Sequence, residues 1–308
     1  MSSEPEGLAE ARRAAVEFHL GEILDVGVVK QGASPCFRID AGAGVFAVKR
    51  EVADALDLAA EVALRLNGQG FPQAVFRRTE AGSLLSSDGF TATAWLPGIP
   101  RERPEPEESA PLMRALSRYQ ELLAAPFPVP PELRECRTVW TQLASVDHLL
   151  GDLLEECRGI PEAAPAVVAA AGLLRERRDA IAALPRQLIH GDLGGGNILF
   201  APDTVLFIDF TPHWDSHLAG LGACLYWSHV SATNAVPDAS RIAEEVDVYA
   251  ALRHLTPIEL ELIPAMMVKE AYRRVATAIH LGWHGDPGRA AAWDWRLRCL
   301  VALTTEAG

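Results

Sequence analysis

The sequence predicts an α+β protein in two parts, a small antiparallel sheet in residues 1–98 and a larger, mainly helical part in residues 99–308. Strand-like segments rich in β-branched and aromatic residues mark the first part, as in residues 44–50 and 90–98. A proline- and charge-rich stretch, residues 99–108, has no apolar periodicity and is typical of a linker. After it, apolar residues recur at three- and four-residue spacing, which indicates packed helices.

The small part is predicted to contain strands, one helix and a glycine-bearing loop. Residues 44–50 form a strand in which Lys49 is the last residue but one. Apolar residues at helical spacing follow over residues 52–67, and an Asn-Gly pair at their end is a typical helix stop. An earlier loop, residues 30–37, joins two strand-like segments and contains a single glycine. An ordinary hairpin turn explains it as well as a phosphate-binding loop does.

The larger part is predicted to be helical almost throughout. Its helices carry Leu, Val and Ala on one face, and the first follows an acidic Glu-Glu-Ser segment of the kind found near helix N-termini. The predicted helices span residues 111–125, 139–157, 165–184, 218–231, 240–254, 257–281 and 287–304.

Composition argues against several classes of function. The 308 residues are 49% apolar and 22% charged, which is ordinary for a globular enzyme. A net charge of −13 argues against nucleic acid or an anionic membrane as a partner, because phosphate groups need a basic face. The N-terminus has neither the basic nor the apolar region of a signal peptide, and the five cysteines lack CxxC spacing. We therefore expect a cytoplasmic protein without a zinc site.

One short region concentrates residues that carry chemistry. His190-Gly191-Asp192 follows an apolar strand, Asn197 comes five residues after the aspartate, and Asp209 lies in a second apolar strand. An aspartate on such a loop can accept a proton from an attacking hydroxyl, while Asn197 and Asp209 offer the hard oxygen ligands that Mg²⁺ prefers. Each residue alone is more often a turn or capping residue. Their joint occurrence, in this order and between strand-like segments, favours phosphoryl transfer.

The pattern His-x-Asp-x4-Asn followed by Ile-Asp-Phe resembles the catalytic loop and metal strand of the aminoglycoside phosphotransferase and choline kinase-like family. The resemblance implies a two-lobed protein kinase-like fold, with a small antiparallel-sheet N-lobe, a larger helical C-lobe and a boundary after residue 98. It implies Asp192 as the catalytic base and His190 as a support of the loop through hydrogen bonds. It also implies that Asn197 and Asp209 are ligands of Mg²⁺.

The resemblance extends upstream to a nucleotide site. Lys49 would hold the α- and β-phosphates, and Glu61, which precedes a Leu-rich turn and a Gly-Phe-Pro exit, would orient it. Glu51 and Asp57 are rivals for that role, and a solvated surface charge is the ordinary fate of Lys and Glu. For the Trp95 side chain, packing in the core is an equally good interpretation. We expect ATP to contact Gly32, Ser34, Ala94, Trp95 and Leu96. GTP as the nucleotide is not excluded.

The chain departs from the family pattern just after Asp209. Relatives usually carry an acidic residue there and another aspartate some ten residues later, whereas this segment reads Phe-Thr-Pro-His-Trp-Asp-Ser-His. The difference indicates a branch other than the well-described resistance kinases. We expect the acceptor to bind on the helical part, where aromatic faces and carboxylates suit a ringed, hydroxylated or cationic ligand. The candidate acceptor residues are Trp214, Asp215, Trp283 and Asp286.

The sequence thus predicts a Mg²⁺-dependent kinase that transfers the γ-phosphoryl group of ATP to a hydroxyl of an aminoglycoside, a nucleoside antibiotic or a related small molecule. A choline- or homoserine-type metabolite kinase is one alternative. A nucleotide-binding pseudo-enzyme without turnover is another. A third is an iron site made of His190, Asp192 and a distant histidine, either His229 or His254.

Overall fold

A four-stranded antiparallel sheet and a larger set of helices occupy successive parts of the chain, as the computed structural model shows. The described residues are 5–30, 34–51, 55–101, 103–135, 142, 145–230 and 236–306. The chain separates into two units, Met1–Gly98 and Ile99–Gly308. This architecture confirms the predicted α+β class, with a sheet in the N-terminal part and helices in the C-terminal part.

The N-terminal unit has its strands in the order β1-β2-β3-β4, each antiparallel to its neighbour. Helix α1 packs against this sheet, and its alanines meet the alternate residues of β2, β3 and β4, among them Phe37, Phe46 and Phe90. Burial of these rings away from water holds the helix on the sheet. The elements are α1 (Leu8–Glu17), β1 (Ile23–Lys30), β2 (Cys36–Ala41), β3 (Gly44–Arg50), α2 (Leu56–Gly68) and β4 (Phe90–Ala94).

The C-terminal unit is mainly helical. Its helices are α3 (Pro106–Leu123), α4 (Pro131–Arg134), α5 (Val146–Leu149), α6 (Asp152–Arg158), α7 (Ala164–Glu176), α8 (Arg178–Ala182), α9 (His217–His229), α10 (Ala239–Leu252), α11 (Pro257–His280) and α12 (Ala290–Glu306). None of the helices in the described ranges combines the length and the apolar character that crossing a bilayer requires.

Five short strands also belong to this unit, and four of them flank the His-Gly-Asp segment and Asp209. They are β5 (Ile99–Pro100), β6 (Arg186–His190), β7 (Ile198–Ala201), β8 (Thr204–Phe207) and β9 (Pro212–Ser216). Strands β5, β7 and β8 form one small antiparallel sheet, and β6 pairs with β9 in another. Because β6 and β9 are paired, the segment between them starts at His190 and ends at Pro212, which lie side by side.

Helix α11 is the central support of this unit. It packs on α9 and on α12, and most of its length is buried. Close approach to α9 depends on Gly222, because a Cβ built there would lie 2.5 Å from the Cβ of Met266 on α11. The missing side chain lets the two helix backbones come together.

Several predicted boundaries need correction. Residues 165–184 form two helices, α7 and α8, rather than one, and the last helix begins at Ala290 after a 3₁₀ turn. Residues 139–157 lie partly outside the described residues, and their described part is broken at Gly151, between α5 and α6. The strand predicted over residues 90–98 ends at Ala94, ahead of a proline that cannot donate a ladder hydrogen bond.

Candidate active site

The loop between β6 and β7 forms a tight turn around Asp192. The backbone carbonyl of Asp192 accepts the N–H of Gly194 at 2.9 Å, and the N–H of Asn197 donates to the carbonyl of Gly194 at 2.8 Å. The Asn197 side-chain amide donates to the Asp192 carbonyl at 2.8 Å and to its Oδ2 at 3.2 Å. Asp192 and Asn197, predicted to act together, are therefore in direct contact.

His190 ties this loop to the strand that leads to Asp209. Its Nδ1 accepts the backbone N–H of Asp192 at 3.2 Å, so Nε2 carries the proton and donates to the carbonyl of Ile208 at 2.9 Å. The buried ring also lies edge-on to Phe210, with ring centres 5.4 Å apart. Both ring nitrogens thus serve backbone hydrogen bonds.

Asp209 follows β8 with a left-handed backbone, at φ 59°. Residues of this type and conformation are uncommon and tend to occur where function demands a special geometry. The N–H of Ile208 donates to the carbonyl of Asn197 at 3.0 Å, which continues the ladder in which Ile198 faces Phe207. The antiparallel hairpin therefore brings Asn197 and Asp209 to the same end.

The donor set at this hairpin end suits a hard divalent cation such as Mg²⁺. The Asn197 amide nitrogen is used by Asp192, so the amide oxygen of Asn197 points away from that bond and is a possible ligand, as is the Asp209 carboxylate. Two protein oxygens leave positions for phosphate and water, which is how Mg²⁺ is commonly held. In the described part of the chain, no cluster of three His, Cys, Asp or Glu forms a metal cage.

The described geometry argues against the alternative iron site. The ring nitrogens of His190 face Asp192 and Ile208, as above, and His229 is fully buried with its Nε2 2.9 Å from a carboxylate oxygen of Glu245. Since a ligating histidine must offer one ring nitrogen to the metal, and backbone groups use both nitrogens of His190, this ring is not arranged for iron.

A pair of arginines on α11 supports Asp192, and the sequence interpretation missed both. Arg274 Nη2 donates to Asp192 Oδ1 at 2.7 Å, and Arg273 Nη2 donates to the carbonyl of Gly191 at 3.1 Å. Both guanidinium groups also contact Glu270. The available signal was an Arg-Arg pair about one turn after a glutamate, so that the three side chains lie near one another on the helix.

These charges determine the protonation of the cluster. Desolvation alone would raise the pKa of the Asp192 carboxyl, but the positive charges of Arg274 and Arg273 outweigh it and hold that pKa well below its usual range. Burial likewise opposes ionisation of Glu270, and the same two arginines lower its pKa to about 2. Asp192 is therefore an ionised carboxylate throughout the neutral pH range.

In the N-terminal unit, the charges of Lys49 and Glu61 pair differently from the expected arrangement. Lys49 Nζ lies 3.0 Å from Glu51 Oε2, and Glu61 makes an ion pair with Arg65 one turn later on α2. Glu51 is close to Lys49 because β3 ends between them, and residues four apart on a helix share a face. The role of Glu61 in orienting Lys49 stays a prediction.

The predicted nucleotide-loop and hinge residues have mixed positions. Gly32 lies outside the described residues, and Ser34 is half-buried two residues before β2. The N–H groups of Ala94 and Trp95 donate to Val75 and Val45 within the unit, at 3.0 and 2.9 Å. The N–H groups of Ala94 and Trp95 are thus already used within the unit. Of the three predicted hinge residues, Leu96 is the one whose N–H we still expect to donate to adenine.

The predicted acceptor residues lie at two places. Trp214 and Asp215 are on β9 and line a shallow cleft, where Asp215 makes an ion pair with Lys269. Trp283 and Asp286 follow α11. The Arg296 guanidinium lies 4.7 Å from the ring centre of Trp283, and Asp286 accepts the N–H of Gly288 at 2.8 Å. The cleft beside β9 does not include Trp283 or Asp286 among its described lining residues.

The fold and the site together define a chain of the kinase-like phosphotransferase class. The chain belongs to the phosphotransferase enzyme family, whose family model matches residues 25–225. Among curated protein sequences, none matches this chain.

Solved structures show the same fold at low sequence identity. The chain is similar to the amicoumacin kinase hAmiN, solved with AMP-PNP, Ca²⁺ and Ami, with a TM-score of 0.68 and 13% identity over 98% of this chain and 94% of that chain. Aminoglycoside phosphotransferase APH(4)-Ia, as a thermostable mutant, has a TM-score of 0.66, 14% identity, and coverage of 93% and 96%. Choline kinase LicA from Streptococcus pneumoniae has a TM-score of 0.62, 12% identity, and coverage of 96% and 99%. These similarities confirm the expected protein kinase-like fold, and the family-model match confirms the suspected family.

Proposed function

We propose that the chain is a Mg²⁺-dependent enzyme that transfers the γ-phosphoryl group of ATP to a hydroxyl of a small molecule. The observation that carries the proposal is the hydrogen-bonded pair of Asp192 and Asn197, at the end of the hairpin that leads to Asp209. This arrangement holds a proton acceptor beside two oxygen ligands, as phosphoryl transfer requires. Family membership supports the same chemistry.

In the proposed reaction, the acceptor hydroxyl donates a hydrogen bond to Asp192. Its oxygen forms a bond to the γ-phosphorus as the bond from that phosphorus to ADP breaks, and the hydroxyl proton passes to the Asp192 carboxylate. The low pKa makes Asp192 a weak base, which suits a loose transition state in which orientation of the hydroxyl matters more than early proton removal.

The other motif residues have separate proposed roles. Asn197 and Asp209 would hold Mg²⁺, which when bound neutralises charge on the phosphoryl oxygens. Lys49 would bind the α- and β-phosphates, and Glu61 would orient Lys49. His190 supports the loop through the two backbone hydrogen bonds that its ring makes.

The proposed acceptor is a ringed, hydroxylated or cationic small molecule, with an aminoglycoside or nucleoside antibiotic first and a choline- or homoserine-type metabolite second. Aromatic faces and carboxylates that suit such ligands are present on the C-terminal unit. Trp214 and Asp215 line the shallow cleft beside β9, so they are the first residues to test. Trp283 and Asp286 form the second group.

The test is release of ADP from Mg²⁺-ATP in the presence of aminoglycosides, nucleosides, sugars, choline and homoserine. With an acceptor found, Asp192→Asn and Asp209→Ala should each lower turnover by about 10²-fold or more, because base and metal ligand act in the transition state. Asp203→Asn, in the exposed turn of the same hairpin, is the matched control and should leave turnover unchanged.

The outcomes separate the alternatives. Near-normal turnover in both active-site variants would contradict the assignment. A melting temperature raised by Mg²⁺-ATP, without turnover on any acceptor, would favour a nucleotide-binding pseudo-enzyme. If the KM for the acceptor is the same in Asp215→Ala, Asp286→Ala and Trp283→Ala as in the native chain, the proposed acceptor site is wrong. The kinase assignment would still stand.

A further inference from the structure

The Asp192 carboxylate is held from two sides. Its Oδ1 accepts a hydrogen bond from Arg274 Nη2 at 2.7 Å, and its Oδ2 accepts one from Asn197 Nδ2 at 3.2 Å. The side chain is 40% exposed, so it keeps a face that a ligand can reach. Both oxygens therefore have fixed directions before any substrate binds.

Arg274 is itself anchored at two further points. Its Nε donates to Glu270 Oε1 at 2.6 Å, and its guanidinium carbon lies 4.8 Å from the ring centre of Trp227. Trp227 also donates from Nε1 to Glu270 Oε1 at 3.3 Å. A planar guanidinium can bond two carboxylates and stack on an indole at once, whereas a lysine ammonium cannot reproduce this geometry.

Arg273 completes the support without touching the Asp192 carboxylate through any described bond. It donates to Glu270 from Nε at 2.8 Å and from Nη2 at 2.9 Å, and Nη2 also reaches the Gly191 carbonyl. Two guanidinium groups and two carboxylates balance in charge, which lets the cluster be buried with its hydrogen bonds satisfied. Helix α11 thus presents one rigid unit to the catalytic loop.

We propose that Arg274 is a positioning residue for phosphoryl transfer, which fixes the direction in which Asp192 meets the acceptor hydroxyl. Glu270 and Trp227 hold its guanidinium for this task. The inference rests on the proposed function and deepens it. Without Arg274, the carboxylate would be restrained by Asn197 alone, and small errors in the placement of a reacting group are costly.

The kinetic test compares Arg274→Met and Arg274→Lys with the native chain on whichever acceptor is found. Arg274→Met should lower kcat by about 10- to 10²-fold while the KM for ATP changes by less than about twofold. Arg274→Lys keeps the positive charge but not the planar guanidinium. Its kcat should therefore lie between that of the native chain and that of Arg274→Met. Arg298→Met, an exposed arginine on α12, is the control and should leave kcat unchanged.

The split between kcat and KM separates positioning from a general loss of structure. A positioning role lowers kcat in folded Arg274→Met and leaves the KM for ATP nearly unchanged, whereas a general loss of structure also raises that KM. An unchanged kcat in folded Arg274→Met, or a KM for ATP that rises as much as kcat falls, would overturn the proposal. If Arg274→Met does not fold, the same two readings on Arg274→Lys decide.

A measurement without substrate distinguishes failure of this inference from failure of the proposed function. Crystal structures of the native chain and of folded Arg274→Met show whether the Asp192 carboxylate keeps its direction. In the native chain it should be held by Arg274 and Asn197, and in Arg274→Met it should lose that fixed orientation. An Asp192 carboxylate ordered in the same direction in both structures would overturn the inference even if the chain proves to be a kinase.

Discussion

At the scale of single residues, the glycine of the His-Gly-Asp segment has a packing cause. A Cβ built on Gly191 would lie 1.8 Å from Nδ1 of His213, so the ring occupies the space that any side chain would need. Gly191 also donates to the carbonyl of Thr211 at 2.7 Å, which fixes the loop against β9. His213 therefore determines which residue can precede Asp192.

We predict that Gly191→Ala lowers the free energy of unfolding by about 1–3 kcal/mol, because an extra methyl in a packed site displaces its neighbours. Combining it with His213→Ala should restore part of that loss, since the smaller side chain removes the clash. Denaturant unfolding of both single variants and the double variant gives the coupling energy.

The matched control for this pair is Gly196→Ala, in the same loop. A Cβ there would meet no atom within 4 Å, so its effect should stay within about 0.5 kcal/mol. Simple additivity of Gly191→Ala and His213→Ala would show that the ring does not set the identity of residue 191.

The sequence could predict the motif residues but not their support. His190, Asp192, Asn197 and Asp209 stand close together along the chain, and strand pairing accounts for Asn197 and Asp209 sharing one end of a hairpin. Arg274 lies 82 residues after Asp192. No local pattern specifies which face of a distant helix meets the catalytic loop, so only the tertiary packing reveals this contact.

At the scale of elements, the position of α11 depends on its contact with α9. Gly222→Ala should force the two helices apart, because the new Cβ would lie 2.5 Å from that of Met266. We expect a loss of about 1–3 kcal/mol in unfolding free energy. We also expect a lower kcat, since α11 carries the arginines that hold the catalytic loop.

Gly172→Ala on α7 is the control for this change. A Cβ there meets nothing within 4 Å, and alanine is the better helix former, so stability should stay equal or rise by up to about 1 kcal/mol. Thermal unfolding and turnover of both variants check the prediction. A Gly222→Ala protein as stable and as active as the Gly172→Ala protein would contradict it.

Sequence periodicity located most helices of the C-terminal unit but could not fix where each one ends. The predicted helix 257–281 is matched by α11 at Pro257–His280, because a Thr256–Glu259 capping box and a proline mark its start. Helix α1, at Leu8–Glu17, was not predicted. Its buried face consists of alanines, which give little apolar contrast, so only the sheet beneath them shows that this face is core.

At the scale of the whole molecule, buried ionisable groups of the C-terminal unit make stability depend on acid. Burial lowers the pKa of His217 from 6.5 to about 4, so the unfolded chain binds this proton first and stability falls as pH drops from about 6.5 to 4. The Glu270 carboxyl, with a pKa of about 2 against 4.5, adds a second loss below about pH 4.5. We predict a continuous decrease of unfolding free energy from neutral pH downward.

Urea unfolding followed by tryptophan fluorescence between about pH 7.5 and 4 checks this dependence. Six of the seven tryptophans lie after residue 98, so the signal reports mainly on the C-terminal unit. His217→Gln should flatten the slope above pH 4, whereas His254→Gln, at an exposed position, should not. A native slope that equals the His217→Gln slope would contradict the assignment to His217.

The family model and the structure cover different parts of the proposed machinery. The match ends at residue 225, so it includes Asp192, Asn197 and Asp209 but not Trp227, Glu270, Arg273 or Arg274. The hydrogen bonds from Arg273 and Arg274 to the loop therefore come from a part of the chain that the family match does not cover.

The packing of Trp227 gives the molecule an optical reporter of its own. The indole rings of Trp227 and Trp295 have centres 6.0 Å apart, with their planes inclined at 69°. A Cβ built on Gly194, in the loop after Asp192, would lie 3.6 Å from the Trp227 ring. Two indoles this close and inclined couple their electronic transitions. A circular dichroism couplet from this pair, absent in Trp295→Phe, would then report on the packing around Trp227. The measurement needs neither a label nor a substrate.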